Sequence, residues 1–185
     1  MSEPSAAPSP YLPGDRPADE IAAMIRVDHA GEYGARRIYE GQLAVIGRGR
    51  ARDEIRRMAE QERRHLENFE RLVRARRVRP TMLEPLWHVA GFALGAATAL
   101  LGERAAMACT VAVEEVIDEH YRDQAERLGE RDPPLRDAIV GCRADELAHR
   151  DLALEHGARD TPGYELIAGA VKTGARLAIW LSTRL

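Results

Sequence analysis

Apolar residues recur at intervals of three and four along most of this chain, a period typical of helices that bury one face. Gly and Pro residues interrupt the pattern and divide it into six predicted helices. These helices are predicted at residues 17–46, 51–77, 82–101, 104–128, 135–156 and 163–183. No segment alternates apolar and polar residues convincingly with period two, so the sequence predicts an all-α fold.

The composition fits one folded domain. The chain has 185 residues, of which 45% are hydrophobic and 31% are charged. A formal net charge of −3 argues against nucleic-acid binding driven by overall basicity. Five of the ten prolines lie in the first 17 residues, so we expect a disordered tail at residues 1–14 and a single domain at 15–185. The two cysteines form no CxxC pair, which excludes a rubredoxin-like site, and no secretory signal is recognisable.

Four of the predicted helices carry polar residues on an otherwise mostly apolar face. In the second helix this face includes Glu62 and His65, and the fifth helix repeats the arrangement with Glu146 and His149. Side chains three residues apart lie on the same side of a helix, where both can bind one metal ion. One such pair in a chain rich in Glu and Arg is weak support for a metal site, whereas two pairs are much more specific.

Each Glu-x-x-His segment follows a helix that carries one further Glu on its apolar face. Glu62 follows Glu32 by 30 residues with Gly47 at the midpoint, and Glu146 follows Glu114 by 32 residues across the next predicted turn. Residues equidistant from the turn of an antiparallel hairpin lie level with each other. Two facing hairpins therefore bring four carboxylates and two imidazoles together, the ligand pattern of ferritin-like dimetal proteins.

Two divalent ions would balance the charge of this cluster. Four buried carboxylates without compensation are strongly unfavourable, and two ions of charge +2 neutralise them. Carboxylate and imidazole donors suit iron or manganese. We predict Glu32 and Glu114 as terminal ligands, Glu62 and Glu146 as bridging ligands, and one histidine nitrogen for each metal.

Other polar residues give weaker signals. Asp28 lies one turn before Glu32 and Asp145 precedes a bridging glutamate, so each is predicted either to hold a ligand histidine by its second nitrogen or to be a capping or surface acid. Tyr121 is predicted to relay an electron, to bond to a ligand, or to pack in the core. Both cysteines are expected to pack as small apolar residues. Four histidines have no partner at ligand spacing: His29, His88, His120 and His156.

Two apolar segments raise the question of a membrane. Residues 85–102 contain no Asp, Glu, Lys or Arg. The length of this uncharged segment is at the short limit for a helix that spans a membrane. The last predicted helix has an apolar face with cations beside it. A basic cluster precedes the first segment: Arg71, Arg74, Arg76, Arg77 and Arg79. We expect both segments to lie on a membrane surface with arginines at anionic head groups; the alternative is burial in the core or in a dimer.

Several of these segments resemble the demethoxyubiquinone hydroxylase family of ubiquinone biosynthesis, the Coq7 type. The resemblance extends from about Ile21 to Leu185, and all six predicted ligands match the family pattern. The segments that carry it are Arg26–Ala35, Ile38-Tyr39, Gly41-Gln42, Ala108–Glu115, Asp145–His149 and Arg176–Ser182.

The resemblance implies a ferritin-like four-helix bundle with one long crossover and two additional apolar or amphipathic helices. It implies a di-iron monooxygenase that uses O2 to hydroxylate a polyprenyl demethoxyubiquinol, with an external reductant such as NADH. It further implies a peripheral protein on the cytoplasmic face of a bacterial inner membrane, or on the matrix face of the mitochondrial inner membrane. A homo-oligomer or a ubiquinone-biosynthesis complex is also expected. The alternatives are a ferritin-like ferroxidase or peroxidase, and a membrane-bound scaffold.

Overall fold

The computed structural model describes residues 19–185, which form six α-helices and one turn of 3₁₀ helix without any β-strand among them. The prediction of an all-α fold is therefore confirmed. The predicted disordered tail at residues 1–14 lies outside the described residues. The helices are α1 (Asp19–Val45), α2 (Arg50–Ala75), α3 (Glu84–Leu100), α4 (Glu103–Leu128), α5 (Pro133–Glu155) and α6 (Tyr164–Arg184).

Two helical hairpins, α1–α2 and α4–α5, form the bundle. Helix α3 lies in the long connection between the hairpins and packs along α1, while α6 packs along α4. Buried apolar side chains fill the space above and below the polar cluster at the middle of the bundle. This arrangement matches the expected ferritin-like bundle with one long crossover and two additional helices.

Where they fall on described residues, the predicted helix ends lie within two residues of the observed ones, and the difference at the start of α5 has a clear physical reason. The fifth helix was predicted to begin at residue 135, but Pro133 and Pro134 form its first turn. Asp132 is the N-cap, and its carboxylate accepts a hydrogen bond from the backbone N–H of Leu135 at 3.2 Å. Proline is favourable here because the first helical residues have no intrahelical acceptor for an N–H group. The short 3₁₀ helix at Ala158–Asp160 was not predicted.

Helix α4 is more deeply buried than its sequence pattern predicts. A single apolar stripe was predicted, yet every residue from Ala105 to Glu114 is buried. The reason is that α1, α3, α5 and α6 all pack against this half of the helix. Alanines on the remaining sides allow these neighbours to approach closely.

Glycines in α3 allow its backbone to approach that of α1. A Cβ atom at Gly95 would overlap the carbonyl oxygen of Ile38, and one at Gly41 would overlap the carbonyl oxygen of Phe92. These glycines therefore serve helix packing. Within residues 19–185, no helix combines the length and the apolar character needed to cross a bilayer.

Candidate metal centre

The six predicted ligands meet at the middle of the bundle. They form two overlapping groups, each with donor atoms within 4.8 Å of one another. The bridging candidates Glu62 and Glu146 belong to both groups, as a ligand shared by two metals must. All six side chains are buried. One group consists of Glu32, Glu62, His65 and Glu146, and the other consists of Glu62, Glu114, Glu146 and His149.

The Nδ1 atoms of both histidines point into the cluster. His65 Nδ1 lies 3.1 Å from Glu146 Oε1 and 3.4 Å from Glu32 Oε2. His149 Nδ1 lies 3.1 Å from Glu146 Oε2 and 3.3 Å from Glu62 Oε1. One imidazole nitrogen is therefore available at each end of the carboxylate cluster.

The outer nitrogens of the two histidines are held by matching partners. His65 Nε2 is 2.9 Å from Asp145 Oδ2, and His149 Nε2 is 3.2 Å from Gln61 Oε1. A hydrogen bond at this nitrogen fixes the ring orientation and leaves Nδ1 for the metal. The structure thus places Asp145 at the predicted position. Gln61 was missed, although it too directly precedes a bridging glutamate, and that shared position is the signal that identifies it.

Two tyrosines donate hydrogen bonds to the terminal carboxylates, and each of these bonds also joins one hairpin to the other. The hydroxyl of Tyr121 donates to Glu32, and that of Tyr39 donates to Glu114 Oε1 at 2.7 Å. Each tyrosine follows a terminal glutamate by seven residues and bonds to the glutamate of the other hairpin. For Tyr121 the structure shows one of the predicted alternatives, a bond to a ligand. Tyr39 was not predicted to contact the cluster, and its spacing from Glu32 is the signal that was available.

Asp28 contacts neither His65 nor His149, so the first alternative predicted for it is wrong, and its burial excludes a surface acid as well. Its Oδ1 atom lies 3.2 Å from His120 Nε2, which is also 2.9 Å from Gln124 Nε2. Asp28 lies one helical turn before Glu32, and at that level α1 faces His120 on α4 rather than either ligand histidine. Burial raises the pKa of the Asp28 carboxyl, although the contact with His120 opposes the shift.

The carboxylate oxygens of the cluster have too few hydrogen-bond donors. Both oxygens of Glu62, together with Oε2 of Glu32 and of Glu114, lack a hydrogen-bond partner in the part of the chain that is described. Buried charged oxygens without partners are strongly unfavourable. Divalent cations would satisfy these atoms and balance the four charges, so the residues fit a dimetal centre.

Protonation compensates part of this charge in the absence of metal. Burial, followed by the charge of Glu146, raises the pKa values of Glu62 and Glu114 well above their usual range. Burial opposes ionisation of Glu146 itself, but hydrogen bonds from His149 and His65 outweigh it and lower its pKa to about 2. Burial likewise opposes the charge on His65, yet its carboxylate neighbours raise its pKa to about 11. Metal binding must therefore displace protons from this cluster.

One of the two cysteines is part of this environment. The sulfur of Cys142 and donor atoms of Glu32 and His65 lie within 4.8 Å of one another. Cys142 also packs in the apolar core, as predicted, but its proximity to two ligands was not predicted. Cys109 lies in a different apolar cluster, between α4 and α6. Burial raises the pKa of the Cys142 thiol above its ordinary range and that of Cys109 to about 12.

An apolar cavity of about 480 Å³ lies beside the metal centre. It is bounded by α1, α3, α4 and α6, with Gly34 and Gly174 among its lining residues. A narrow gap adjoins it and is also lined by Tyr39 and the ligand Glu114. Three residues line both spaces: Ala35, Ile38 and Val113. The cavity therefore approaches the centre from the Glu114 side.

Helices α3 and α6 carry most of the exposed large apolar residues. Trp180 is 52% exposed, and the guanidinium of Arg184 lies 4.4 Å from the centre of its ring. The predicted basic cluster is only partly available to a membrane, because Arg76 is buried in an ion pair with Asp132. The exposed residues on or beside these helices are Met82, Leu86, Val89, Leu100, Leu101, Leu166, Leu177, Trp180 and Leu185.

Comparison with known proteins assigns this chain to a family. The family model described as ubiquinone biosynthesis protein COQ7 matches residues 19–182. The chain belongs to the COQ7 family. The resemblance inferred from the sequence segments is thereby confirmed.

Relatives in the COQ7 family match nearly the whole chain. The 3-demethoxyubiquinol 3-hydroxylase of Rhodospirillum rubrum is 57% identical over 176 residues, which cover 94% of this chain and 83% of the relative. The mitochondrial NADPH-dependent 3-demethoxyubiquinone 3-hydroxylase of Homo sapiens is 52% identical over 169 residues, which cover 89% of this chain and 78% of that relative. The mitochondrial 5-demethoxyubiquinone hydroxylase of Saccharomyces cerevisiae is 38% identical over 200 aligned positions, which cover 99% of this chain and 86% of that relative.

Proposed function

We propose that this COQ7-family protein is a 3-demethoxyubiquinol 3-hydroxylase, which hydroxylates the ring of demethoxyubiquinol in ubiquinone biosynthesis. The observation that carries the proposal is the contact between two features: a six-ligand dimetal cluster and an apolar cavity of about 480 Å³ that approaches it at Glu114. The names and the extent of similarity of the relatives support the same reaction.

Two iron ions are the proposed cofactor. Glu32 with His65 and Glu114 with His149 would hold one ion each, and the two remaining glutamates would bridge them. When bound, the iron pair supplies reductive activation of O2. Tyr39, Tyr121, Asp145 and Gln61 keep the ligands in place through their hydrogen bonds.

The cavity is the proposed binding site for the polyprenyl benzoquinol. Its volume lies within the range of about 300–1,000 Å³ found for small-molecule sites, and its lining is apolar. The ring would lie at the end near Tyr39 and Glu114, and the apolar tail would extend between α3 and α6. The exposed apolar residues of these two helices would continue that path to lipid.

The reaction needs electrons from outside the protein. One atom of O2 enters the ring as a hydroxyl group, and the other leaves as water with two protons and two electrons. The sequence has no Gly-rich nucleotide-binding motif, so we propose a reduced nicotinamide nucleotide, NADH or NADPH, as an external donor. Burial of the cluster keeps bulk water away from the oxidising centre.

Peripheral membrane association is also proposed. The exposed apolar residues of α3 and α6 would enter the interface of a bacterial inner membrane on its cytoplasmic face, or of a mitochondrial inner membrane on its matrix face. Flotation with anionic liposomes tests this proposal. Protein that stays at the bottom of the gradient and forms a dimer, or binds another ubiquinone-biosynthesis protein, would favour burial of the surface by protein instead.

The decisive experiment for the reaction is a single turnover with labelled oxygen. The iron-loaded protein is reduced without oxygen, mixed with a short-tailed demethoxyubiquinol and exposed to ¹⁸O₂. We expect one labelled hydroxyl group on the ring, detected by mass spectrometry. Oxidation of iron with an unchanged quinol would contradict the proposal and favour a ferroxidase or peroxidase.

Two glycines of α6 provide a matched test of the cavity. A side chain at Gly174 or Gly169 meets nothing within 4 Å of its Cβ, but only Gly174 lines the cavity. We expect Gly174→Leu to lower hydroxylation at least about tenfold, because filling an apolar site excludes its ligand. The control Gly169→Leu should keep activity, and both variants should keep their metal. Equal activity in the two variants would place the substrate elsewhere.

A further inference from the structure

We propose that Trp87 and Ser182 form a clasp across the end of the cavity farthest from the candidate metal centre, and that a long polyprenyl tail leaves the cavity by opening this clasp. The inference rests on the proposed function, because it concerns the substrate proposed there. It assigns the selection of tail length to two residues that lie outside the metal centre.

The clasp is a polar pair in an otherwise aliphatic cavity wall. The indole Nε1–H of Trp87 on α3 donates a hydrogen bond to the hydroxyl oxygen of Ser182 on α6 at 3.0 Å. Among the described residues that line the cavity, Trp87 is the only aromatic residue and Ser182 the only one with a hydroxyl group. Each polar group therefore has the other as its partner, and an apolar tail in the cavity meets no unpaired donor there.

The clasp joins two helices that hardly touch each other. Helix α3 packs along α1 and α6 packs along α4, with the cavity between them. Within residues 19–185, the bond from Trp87 is the only side-chain hydrogen bond between α3 and α6. Beyond the clasp, the backbone N–H of Met82 donates to the carbonyl oxygen of Leu185 at 3.1 Å and holds the helix ends together. Rotation of the Trp87 side chain, rather than separation of the helices, would therefore open the clasp.

The clasp and the metal centre lie at opposite ends of the cavity. Ile38 lines both the cavity and the gap at the metal centre, whereas Val27, 11 residues earlier on α1, lines only the cavity. These two levels are about 16 Å apart along the helix. The side chain of Arg26 donates to the carbonyl oxygen of Thr183 at 3.2 Å, which places the end of α6 at the level of Val27.

Exposed apolar residues lie on both sides of the clasp. Leu86 and Val89 flank Trp87 on α3, Trp180 lies two residues before Ser182 on α6, and these three flanking side chains are all more than half exposed. A tail that passes the clasp would therefore remain in contact with apolar side chains, and these are among the residues proposed to face lipid.

Tail length would determine whether the clasp stays closed. A quinol with a single prenyl unit would lie between the metal centre and the clasp, whereas a long tail must displace the indole from the hydroxyl. Loss of one such hydrogen bond corresponds to about a 2–10-fold loss of affinity. Removal of the clasp should therefore strengthen the binding of long-tailed quinones by that factor and leave the binding of short-tailed ones unchanged.

The indole N–H resonance of Trp87 reports the clasp without any variant of the pair. The chain has two tryptophans, so Trp180→Phe assigns the two indole signals of a ¹⁵N-labelled sample. We expect the Trp87 signal to move upfield when a demethoxyubiquinone with a long polyprenyl tail binds in detergent micelles, because the N–H loses its acceptor. A demethoxyubiquinone with a single prenyl unit should bind and leave the signal at its original position.

A double-mutant cycle tests the effect of the clasp on affinity. Equilibrium dialysis gives the Kd of each quinone in micelles. Trp87→Phe and Ser182→Ala should each strengthen binding of the long-tailed quinone about 2–10-fold relative to the short-tailed one. The double variant should show no more than either single variant, because each removes the same bond.

Two further variants distinguish the hydroxyl from a general effect of substitution on α6. Ser182→Thr keeps a hydroxyl group and should retain the wild-type ratio of the two affinities. Thr173→Ala is the matched control, because the hydroxyl of Thr173 donates to the carbonyl oxygen of Gly169 in its own helix at 2.8 Å and does not line the cavity. This variant should also retain the wild-type ratio.

The outcomes separate this proposal from the proposed function. A Trp87 signal that is unmoved by the bound long-tailed quinone, or the same ratio of affinities in every variant, would overturn the clasp and leave the hydroxylase untouched. Equal weakening of both quinones in Trp87→Phe and Ser182→Ala would also overturn it, since the pair would then only support the wall. Failure of both quinones to bind the wild-type protein would overturn the clasp and the proposed substrate cavity together.

Discussion

The two hairpins of the bundle contribute the same ligands but different surroundings. Each provides a terminal glutamate, a tyrosine seven residues later and a Glu-x-x-His segment, and the supporting hydrogen bonds cross from one hairpin to the other. Around His65 the neighbours are ionisable: Asp145 and Cys142. The corresponding sequence positions on α2, one residue and one turn before Glu62, hold the neutral Gln61, which contacts His149, and Met58.

This difference separates the tasks of the two metal positions. The candidate position at Glu32 and His65 lies among acids and a thiol, whereas Glu114 lines a narrow gap that adjoins the apolar cavity. In the proposed dimetal centre, a symmetrical set of ligands would bind two metals, and the asymmetry of the residues around them would determine which metal faces the substrate.

The largest effect is expected from loss of either bridging carboxylate. Glu62→Ala and Glu146→Ala each remove a ligand of both metals, so each should lower hydroxylation by at least about a hundredfold and reduce the bound iron. Metal analysis and turnover of the two purified variants measure this. A variant that binds both metals and turns over normally would contradict the shared position of that glutamate.

Smaller and unequal effects are expected from the outer partners of the histidines. Asp145→Ala should weaken metal binding about 10–100-fold, because it removes a carboxylate that orients His65. Gln61→Ala should weaken it less, because an amide oxygen is a weaker acceptor than a carboxylate. Titration of both metal-free variants with Mn²⁺ gives the two affinities. Equal losses of affinity would show that the difference in charge between Asp145 and Gln61 has no consequence for metal binding.

The tyrosine hydroxyls should contribute comparably to stability but differently to catalysis. Tyr39→Phe and Tyr121→Phe each remove a buried bond to a carboxylate, a loss of about 1–3 kcal/mol in the free energy of unfolding. Tyr39 also lines the gap beside the cavity, so Tyr39→Phe should change the KM for quinol more than Tyr121→Phe does. Denaturant unfolding and steady-state kinetics check the two parts. A larger change of KM in Tyr121→Phe would reverse the assignment of the substrate side.

The smallest effect concerns an ion pair that links the two hairpins. Burial of Glu54 opposes its ionisation, but Arg50 and His156 outweigh that effect and lower its pKa. A carboxyl with a lowered folded-state pKa stabilises the protein above its unfolded value of about 4.3, and this contribution is lost as the pH falls. Glu54→Gln should therefore flatten the dependence of the unfolding free energy on pH below about 5.

An exposed acid on the same helix is the control for that measurement. Arg63 lowers the pKa of Glu60 as well, but this pair is on the surface, where solvent screens the interaction. Glu60→Gln should change the pH dependence less than Glu54→Gln. Equal changes would mean that the link between α2 and α5 adds nothing beyond a surface ion pair.

Local rules allowed much of the fold to be predicted. The helical period of the apolar residues and the Gly and Pro residues that interrupt it predicted six helices, because both signals depend on residues close together in the sequence. The first turn of α5 was missed, since Pro133 and Pro134 are compatible with a turn or a helix start until Asp132 is seen to cap the helix. The complete burial of residues 105–114 was missed as well, because it depends on helices distant in sequence.

For the candidate metal centre, the sequence by itself determined which six residues meet, because their spacing along two hairpins is a local property. It also identified Asp145 as one of two candidate partners for a histidine of this cluster, because Asp145 precedes Glu146. Only the tertiary structure decided that Asp28 faces His120, that Cys142 lies near Glu32 and His65, and that an apolar cavity adjoins a narrow gap lined by Glu114. Contacts between helices depend on their relative rotation and separation, and these are set by the packing of the whole bundle rather than by the pattern along any one helix.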